Sequence, residues 1–315
     1  LMAKLKVRQA NNTQANLRST SRNPFAEAES WRQHFQLIQN GTEAVADRVW
    51  QNIPLNHTIA HWMAQTPTPQ ELKRALQKMK VGKAPGDDGV TVEMLKWAPP
   101  SIIDKVITIT QDIWQATARA NPQELIDHWP AEWLTATVIP LWKMKHPKTC
   151  KNNWRGVTLL SIGSKLIARV VANRLQTFSE SFMDEQQQGF RRNRGVDDVL
   201  QVSRRLTEEI VSSRGPQNVH ITLYDIEKAY PRINRDALWQ LLQRRGVPPE
   251  FVNVCKGLHN FTQFHTRVEG VISRDYEADR GLKEGCPSSP PLFNLYHQAV
   301  LADFRVRRKR AADRL

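Results

Sequence analysis

Asp225 closes the apolar run Val219, Ile221, Leu223 within the stretch YDIEKAYPRIN, residues 224–234. That alternation predicts a short β-strand over 219–226 with a carboxylate at its exit. Phosphoryl transfer by two metal ions needs hard oxygen ligands around Mg²⁺ ions about 3.5–4 Å apart, and a strand end holds such a ligand rigidly. A lone Asp in that position more often ends a strand or caps the next turn, so position alone is a weak signal. Two acidic pairs invite the same reading and resist it. Asp87 and Asp88 sit in a GDDG turn with no apolar strand before them. Asp197 and Asp198 fall in the first turn of a helical pattern, where carboxylates favour the positive end of the helix dipole. Both pairs read as structural.

The elements that would position Asp225 are mostly helical. Thr68 caps a helix with Pro69 at its first position and Glu71 placed to close a capping box, and Leu72, Leu76 and Met79 share one face. The turn-rich KAPGDDG (83–89) follows, then a helix carrying Ile102, Ile103, Val106, Ile107, Ile109 and Trp114. Ala136–Leu141 and Trp154–Leu160 read as paired strands. From Gly163 to Phe178, apolar residues recur at three and four, which predicts an amphipathic helix; another is predicted from Val196 to Val211. Asn234 caps a helix that Gly246 stops, residues 263–281 read as a hairpin turning at Glu269 and Gly270, and a helix follows Pro291. No internal repeat is visible. The order predicts an α+β fold, helices gathered before a small antiparallel sheet.

Forty-five Lys and Arg against 31 Asp and Glu give a net charge of +14, which points to a polyanionic partner. Residues 1–24 carry five cations and no acid, and Arg305, Arg307, Arg308, Lys309 and Arg310 cluster near the end; each run suits a solvated tail as well as a binding arm. Cys150, Cys255 and Cys286 are odd in number and lie too far apart for a zinc pattern, which argues for a reducing compartment. No apolar run approaches the roughly 18–20 residues of a membrane span, and no signal-peptide core is present, so an intracellular, soluble protein is expected. The initial Leu1 and an end inside a helical pattern suggest a fragment.

Five segments in order over residues 82–294 resemble the motifs of reverse transcriptases of the non-LTR, LINE-like retrotransposons. They are KAPGDDG, NWRGVTLLSIGSKLIARVVANRL (153–175), EQQQGFRRNRGVDD (185–198), DIEKAYPRINR and GLKEGCPSSPPLFN (281–294). The resemblance implies a right-hand polymerase: residues 1–24 a disordered basic linker, 25–80 a helical N-terminal extension, and 81–315 the helical fingers and a partial palm with a small antiparallel sheet. It assigns Asp225 as the first catalytic and metal-binding Asp, with the Ile226 carbonyl beside it. Tyr230 becomes the aromatic gate against a ribose 2′-hydroxyl. Lys143 and Arg155 become the cations that grip an incoming triphosphate, a task that suits an ammonium and a planar guanidinium. Arg191, Arg192 and Arg194 would face the template backbone, and Gly285, Pro287 and Ser289 would shape the loop under the template. Each of these cations and Tyr230 also has a plain reading as a surface charge or core aromatic. Trp142 and Trp154 could stack bases, but core packing is the reading we adopt for both. The implied partners are an RNA template, a DNA primer and deoxynucleoside triphosphates with Mg²⁺, without a membrane, the nucleus being favoured over the cytoplasm.

The departures from the family pattern lie downstream. Members carry an aromatic-Ala-Asp-Asp hairpin after the second palm motif, whereas the 21 residues after Asn294 hold only Asp303 and Asp313, far apart. The chain therefore reads as truncated before the catalytic hairpin and the thumb, and as inactive by itself. A non-catalytic RNA-binding remnant and a reverse transcriptase like those of group II intron maturases are the alternatives. Glu284 stands where Gln is common before Gly285, and a negative side chain there opposes a triphosphate.

Overall fold

Strands β1 (Thr135–Trp142) and β2 (Trp154–Leu160) pair antiparallel from Ala136↔Leu160 to Trp142↔Trp154. The computed structural model describes residues 23–41, 53, 55–212 and 223–312. Val219 and Ile221, and nearly all of the expected basic linker, lie outside those residues. Strand β3 (Gln263–Val268) joins the other side of β1, and a two-residue β4 (Val271–Ile272) follows it, for the order β2-β1-β3-β4.

The sheet is mixed, which corrects the antiparallel expectation. β1 and β3 run parallel from Thr135↔Gln263 to Val138↔Thr266. A parallel pair needs a long crossover, and the helices between β2 and β3 supply it. Pro140, which has no amide proton for a ladder, lies in β1 beyond the last β3 partner, where its nitrogen is free of pairing duty. The β3–β4 turn sits at Glu269 and Gly270, with φ of 50° and 84°, as the sequence predicts.

Helices pack against this sheet. Helix α1 (Pro24–Gln39) lies on β3 and β4 and reaches β2. Its Trp31 ring is 5.3 Å from Trp154, and a Cβ on Gly156 would come within 2.7 Å of the Phe35 ring. No side chain fits at that place on β2, so glycine permits the helix to press against the strand. α2 (Pro69–Gln77), the short α3 (Val92–Lys96), α4 (Pro100–Arg119) and α5 (Ile162–Ser179) pack on one another. On α5, Leu166, Ile167, Val170, Val171 and Leu175 are all buried, each worth about 1.5–3 kcal/mol against exposure. α6 (Val196–Ser212), α7 (Arg235–Arg244), α8 (Pro249–His259) and α9 (Ser289–Ala312) follow, and a single helical turn at Ala131–Leu134 leads into β1. α8 packs on α4 through an edge-to-face contact of Phe251 and Trp114 at 5.9 Å.

Thr68 caps α2 by accepting from the Glu71 amide at 3.1 Å, but Glu71 does not close the box. Its carboxylate instead takes the buried Arg174 guanidinium of α5, with contacts of 2.6 and 3.0 Å. Arg174 also donates to the Met63 carbonyl at 2.7 Å and lies over the Trp114 ring. One buried cluster extends from Trp31 to Ala299. No helix among the described residues is long and apolar enough to cross a membrane.

Candidate nucleotide site beside the sheet

The β1–β2 hairpin presents its cations at one end. Lys143 directly follows β1, and its amide donates to the Asn153 carbonyl at 2.9 Å, closing the hairpin stem. Arg155, on β2 opposite Leu141, is exposed. The two tryptophans are held internally: Trp142 donates to the Lys145 carbonyl at 2.7 Å and Trp154 to that of Lys148 at 2.8 Å. Lys148 covers the Trp142 ring, and Lys151 lies over Trp31 while donating to Ser30.

The segment 281–289 lies against β2. The Thr158 amide donates to the Glu284 carbonyl at 2.7 Å, and Gly285 follows with φ +112°. A Cβ there would sit 2.8 Å from the Thr158 carbonyl oxygen, so both the backbone angle and the close approach demand glycine. The Glu284 side chain, mostly buried, points to Arg155 with a Nε–Oε2 distance of 3.4 Å. Burial raises its carboxyl above the ordinary range, against the pull of Arg155, Lys143 and Lys228. Lys228, half-buried with φ 54°, is shifted down by burial and by Lys143. Tyr230, also half-buried, tilts against Phe293 at 5.3 Å, and its hydroxyl is shifted up by burial and then by Glu284. Lys143, Arg155, Lys228, Glu284 and Tyr230 thus share a single electrostatic neighbourhood, with Glu227 and Arg232 acting on Lys228 at its edge.

The family model for reverse transcriptase (RNA-dependent DNA polymerase) matches residues 144–311, more than half of the chain. The chain belongs to that family. The chain is 25% identical over 262 residues to an uncharacterized 149 kDa protein of transposon TX1 of Xenopus laevis, covering 83% of this chain and 19% of that protein. It is 27% identical to the Pol polyprotein of the type-1 retrotransposable element R2 of Popillia japonica, covering 75% and 30%. With the RNA-directed DNA polymerase from mobile element jockey of Drosophila melanogaster it shares 22%, covering 73% and 24%. These are non-LTR retrotransposon polymerases, as the sequence motifs imply. The chain spans less than a third of the length of these relatives.

Within the reverse transcriptase domain, the expected site residues divide. Lys143, Arg155 and Tyr230 come together with Lys228 and Glu284, and Gly285 anchors the loop. Asp225 and Ile226 stand apart in an exposed stretch: residues 223–226 form no strand, and Leu223 and Tyr224 are each 90% exposed. The expected strand over 219–226 is thus corrected for its described part. A strand requires a hydrogen-bonded neighbour, and no described segment pairs with it. Among the described residues no group of three or more His, Cys, Asp or Glu could hold a metal ion. One exposed carboxylate does not fit a two-ion centre.

Arg191 turns inward. Its guanidinium holds Glu180 at 2.5 Å and donates to the Asp184 carbonyl at 2.9 Å, so it does not face outward as expected. Arg194 is tied to Glu185 at 2.7 Å, which leaves Arg192 as the exposed member of the trio. Arg192 borders an open groove of about 220 Å³ with Arg74 of α2, Lys78 just past its end and Asn173 of α5. Ser289 is buried and donates to the Lys283 carbonyl at 2.8 Å, closing the loop from within, while Pro287 is partly exposed beside it.

Asp87 is structural, as read from the sequence, and its partners could not be read there. Its carboxylate accepts from Thr137 of β1 and from Arg267 of β3 at 3.1 Å, and lies 3.3 Å from His265. Asp88 accepts from the Val90 amide at 3.2 Å, and burial raises its carboxyl. Lys228 carried no assigned role in the sequence and is revealed only by the shared neighbourhood; Glu284 stood out there as a negative side chain opposing a triphosphate, and its contact with Arg155 comes from the structure.

Proposed function

We propose that this reverse transcriptase domain is the fingers and first part of the palm of an RNA-directed DNA polymerase of a non-LTR retrotransposon. The complete polymerase would extend a DNA primer on an RNA template with deoxynucleoside triphosphates. Lys143 and Arg155 grip the triphosphate, Lys228 adds charge beside them, and the Tyr230 ring stands against the sugar. By resemblance Asp225 and the Ile226 carbonyl hold the position of the first metal ligands of a complete polymerase; the described residues of this chain do not by themselves make a Mg²⁺ site. The observation that supports the reading most strongly is the convergence of Lys143, Arg155, Lys228 and Tyr230 from the β1–β2 hairpin and the segment after Asp225.

Template contact falls to Arg192, with Arg74 and Lys78 lining the same groove. Contacts to phosphates position a strand without reading its sequence and weaken steeply with salt. Equilibrium binding to this chain tests both halves. Arg155→Ala should weaken dATP binding about tenfold while leaving affinity for a poly(rA)/oligo(dT) duplex near that of the parent chain. Arg192→Ala should do the reverse and reduce the salt slope by about one. A chain that binds the duplex but shows no dATP binding sensitive to Arg155 would be a nucleic-acid-binding platform without a nucleotide site.

A further inference from the structure

The nucleotide site already contains an anion. Glu284 is fixed in place through its backbone: its carbonyl accepts from Thr158 on β2, and Gly285 presses on the same residue. From that anchored position its carboxylate lies 3.4 Å from Arg155 on β2. Lys143 at the end of β1 and Lys228 in the segment after Asp225 act on it through space, and the Tyr230 phenol senses it in turn. Glu227 is the other acid in this field, acting on Lys228. A carboxylate and a phosphate oxygen compete for the same guanidinium donors. A glutamine at 284 would offer a neutral amide and leave the cations free.

We propose that Glu284 is a built-in competitor of the triphosphate, a counter-ion that must be neutralised or displaced from Arg155 before a nucleotide can seat. This rests on the nucleotide reading above. The consequence is a brake with a proton on it. Protonated Glu284 carries no charge, so affinity for a polyphosphate rises as pH falls through the range in which this carboxyl titrates. Its desolvated setting moves that range upward from the usual carboxylate value.

The test uses the full chain with two probes, inorganic tripolyphosphate and dATP, measured by calorimetry from about pH 5 to about pH 8, the span that covers a raised carboxyl. Glu284→Gln should bind both probes about tenfold more tightly than the parent at neutral pH, the scale of removing one close opposing charge. Its pH profile should be flatter than the parent's, and the difference isolates Glu284 from the titration of the probes. Arg155→Ala in the Glu284→Gln background should erase the gain. Glu284→Asp keeps the charge on a shorter arm and should stay close to the parent, which guards against a gain that comes only from altered folding. Equal affinity and equal pH slope for parent and Glu284→Gln, with binding still sensitive to Arg155, would overturn the competitor and leave the nucleotide site standing. Binding insensitive to Arg155 in every background would overturn both.

Discussion

Helix α5 buries twelve of its eighteen residues, whereas α6, with seventeen, buries none. Both carry an amphipathic repeat. α5 lies between α2, α4 and α9, so its apolar stripe meets partners on several sides. α6 exposes Val199, Leu200, Val202 and Leu206, and beyond it Leu223 and Tyr224 project from the stretch that carries Asp225. Around α5 the core is closed; α6 and the stretch at 223–224 form an apolar surface that nothing among the described residues covers. An amphipathic pattern specifies which face seeks cover, and only the neighbours decide whether the face is covered.

The largest expected effect lies in the closed half. Arg174→Met leaves Glu71 without its partner and the Met63 carbonyl without its donor, and should cost about 3–5 kcal/mol in chemical denaturation. A loss under about 1 kcal/mol would show that the α2–α5 contact is not part of the cooperative core. Next, Leu166→Ala should cost about 2–5 kcal/mol, while Leu200→Ser on α6 should stay within about 0.5 kcal/mol. Similar losses at both positions would abolish the contrast between the two helices.

A titration sharpens the same comparison. Lys283 is fully buried, donates to the Thr262 hydroxyl and the Leu258 carbonyl at the end of α8, and burial lowers it to about 8. Above that pH the native chain has released a proton that the unfolded chain, with an ordinary lysine, still holds. Stability should therefore rise from pH about 8 towards the normal lysine range, and Lys283→Met should remove that slope. A parent chain with no such rise would mean that the ammonium is better solvated than its surroundings indicate. The smallest effect belongs to the open half: Asp225→Asn should change stability by less than about 0.5 kcal/mol, since the side chain is exposed. A larger change in thermal unfolding would give Asp225 a structural partner.

Local signals were legible in the sequence wherever one element carries its own rule. The spacing of Leu166, Ile167, Val170, Val171 and Leu175 marks α5, Thr68 and Asn234 accept from the amides three residues on, and Gly246 ends α7 with φ +89°. α8 was not read from the sequence although Phe251, Val254, Cys255 and Leu258 recur at three and four; its eleven residues begin at the second of two prolines and hold Gly257, both of which read as breakers. The parallel pairing of β1 with β3 joins residues more than a hundred positions apart and is set by helix packing rather than strand pattern. For the site, Lys143, Arg155 and Tyr230 came from motif resemblance, but the inward turn of Arg191 depends on Glu180, eleven residues back, which no motif marks. Alternation marked 219–226 as a strand; its described part, 223–226, has no hydrogen-bonded neighbour, and 219–222 lie outside the described residues.

The attachment of segment 281–289 to β2 has a mechanical consequence. One hydrogen bond at Thr158 and the contact at Gly285 couple them in shear, so a tilt of the β1–β2 hairpin carries Glu284 with it as a single lever. Arg155 and Glu284 ride on the same arm. Swinging the hairpin cannot pull this pair apart, and separation has to come from rotation of the side chains themselves.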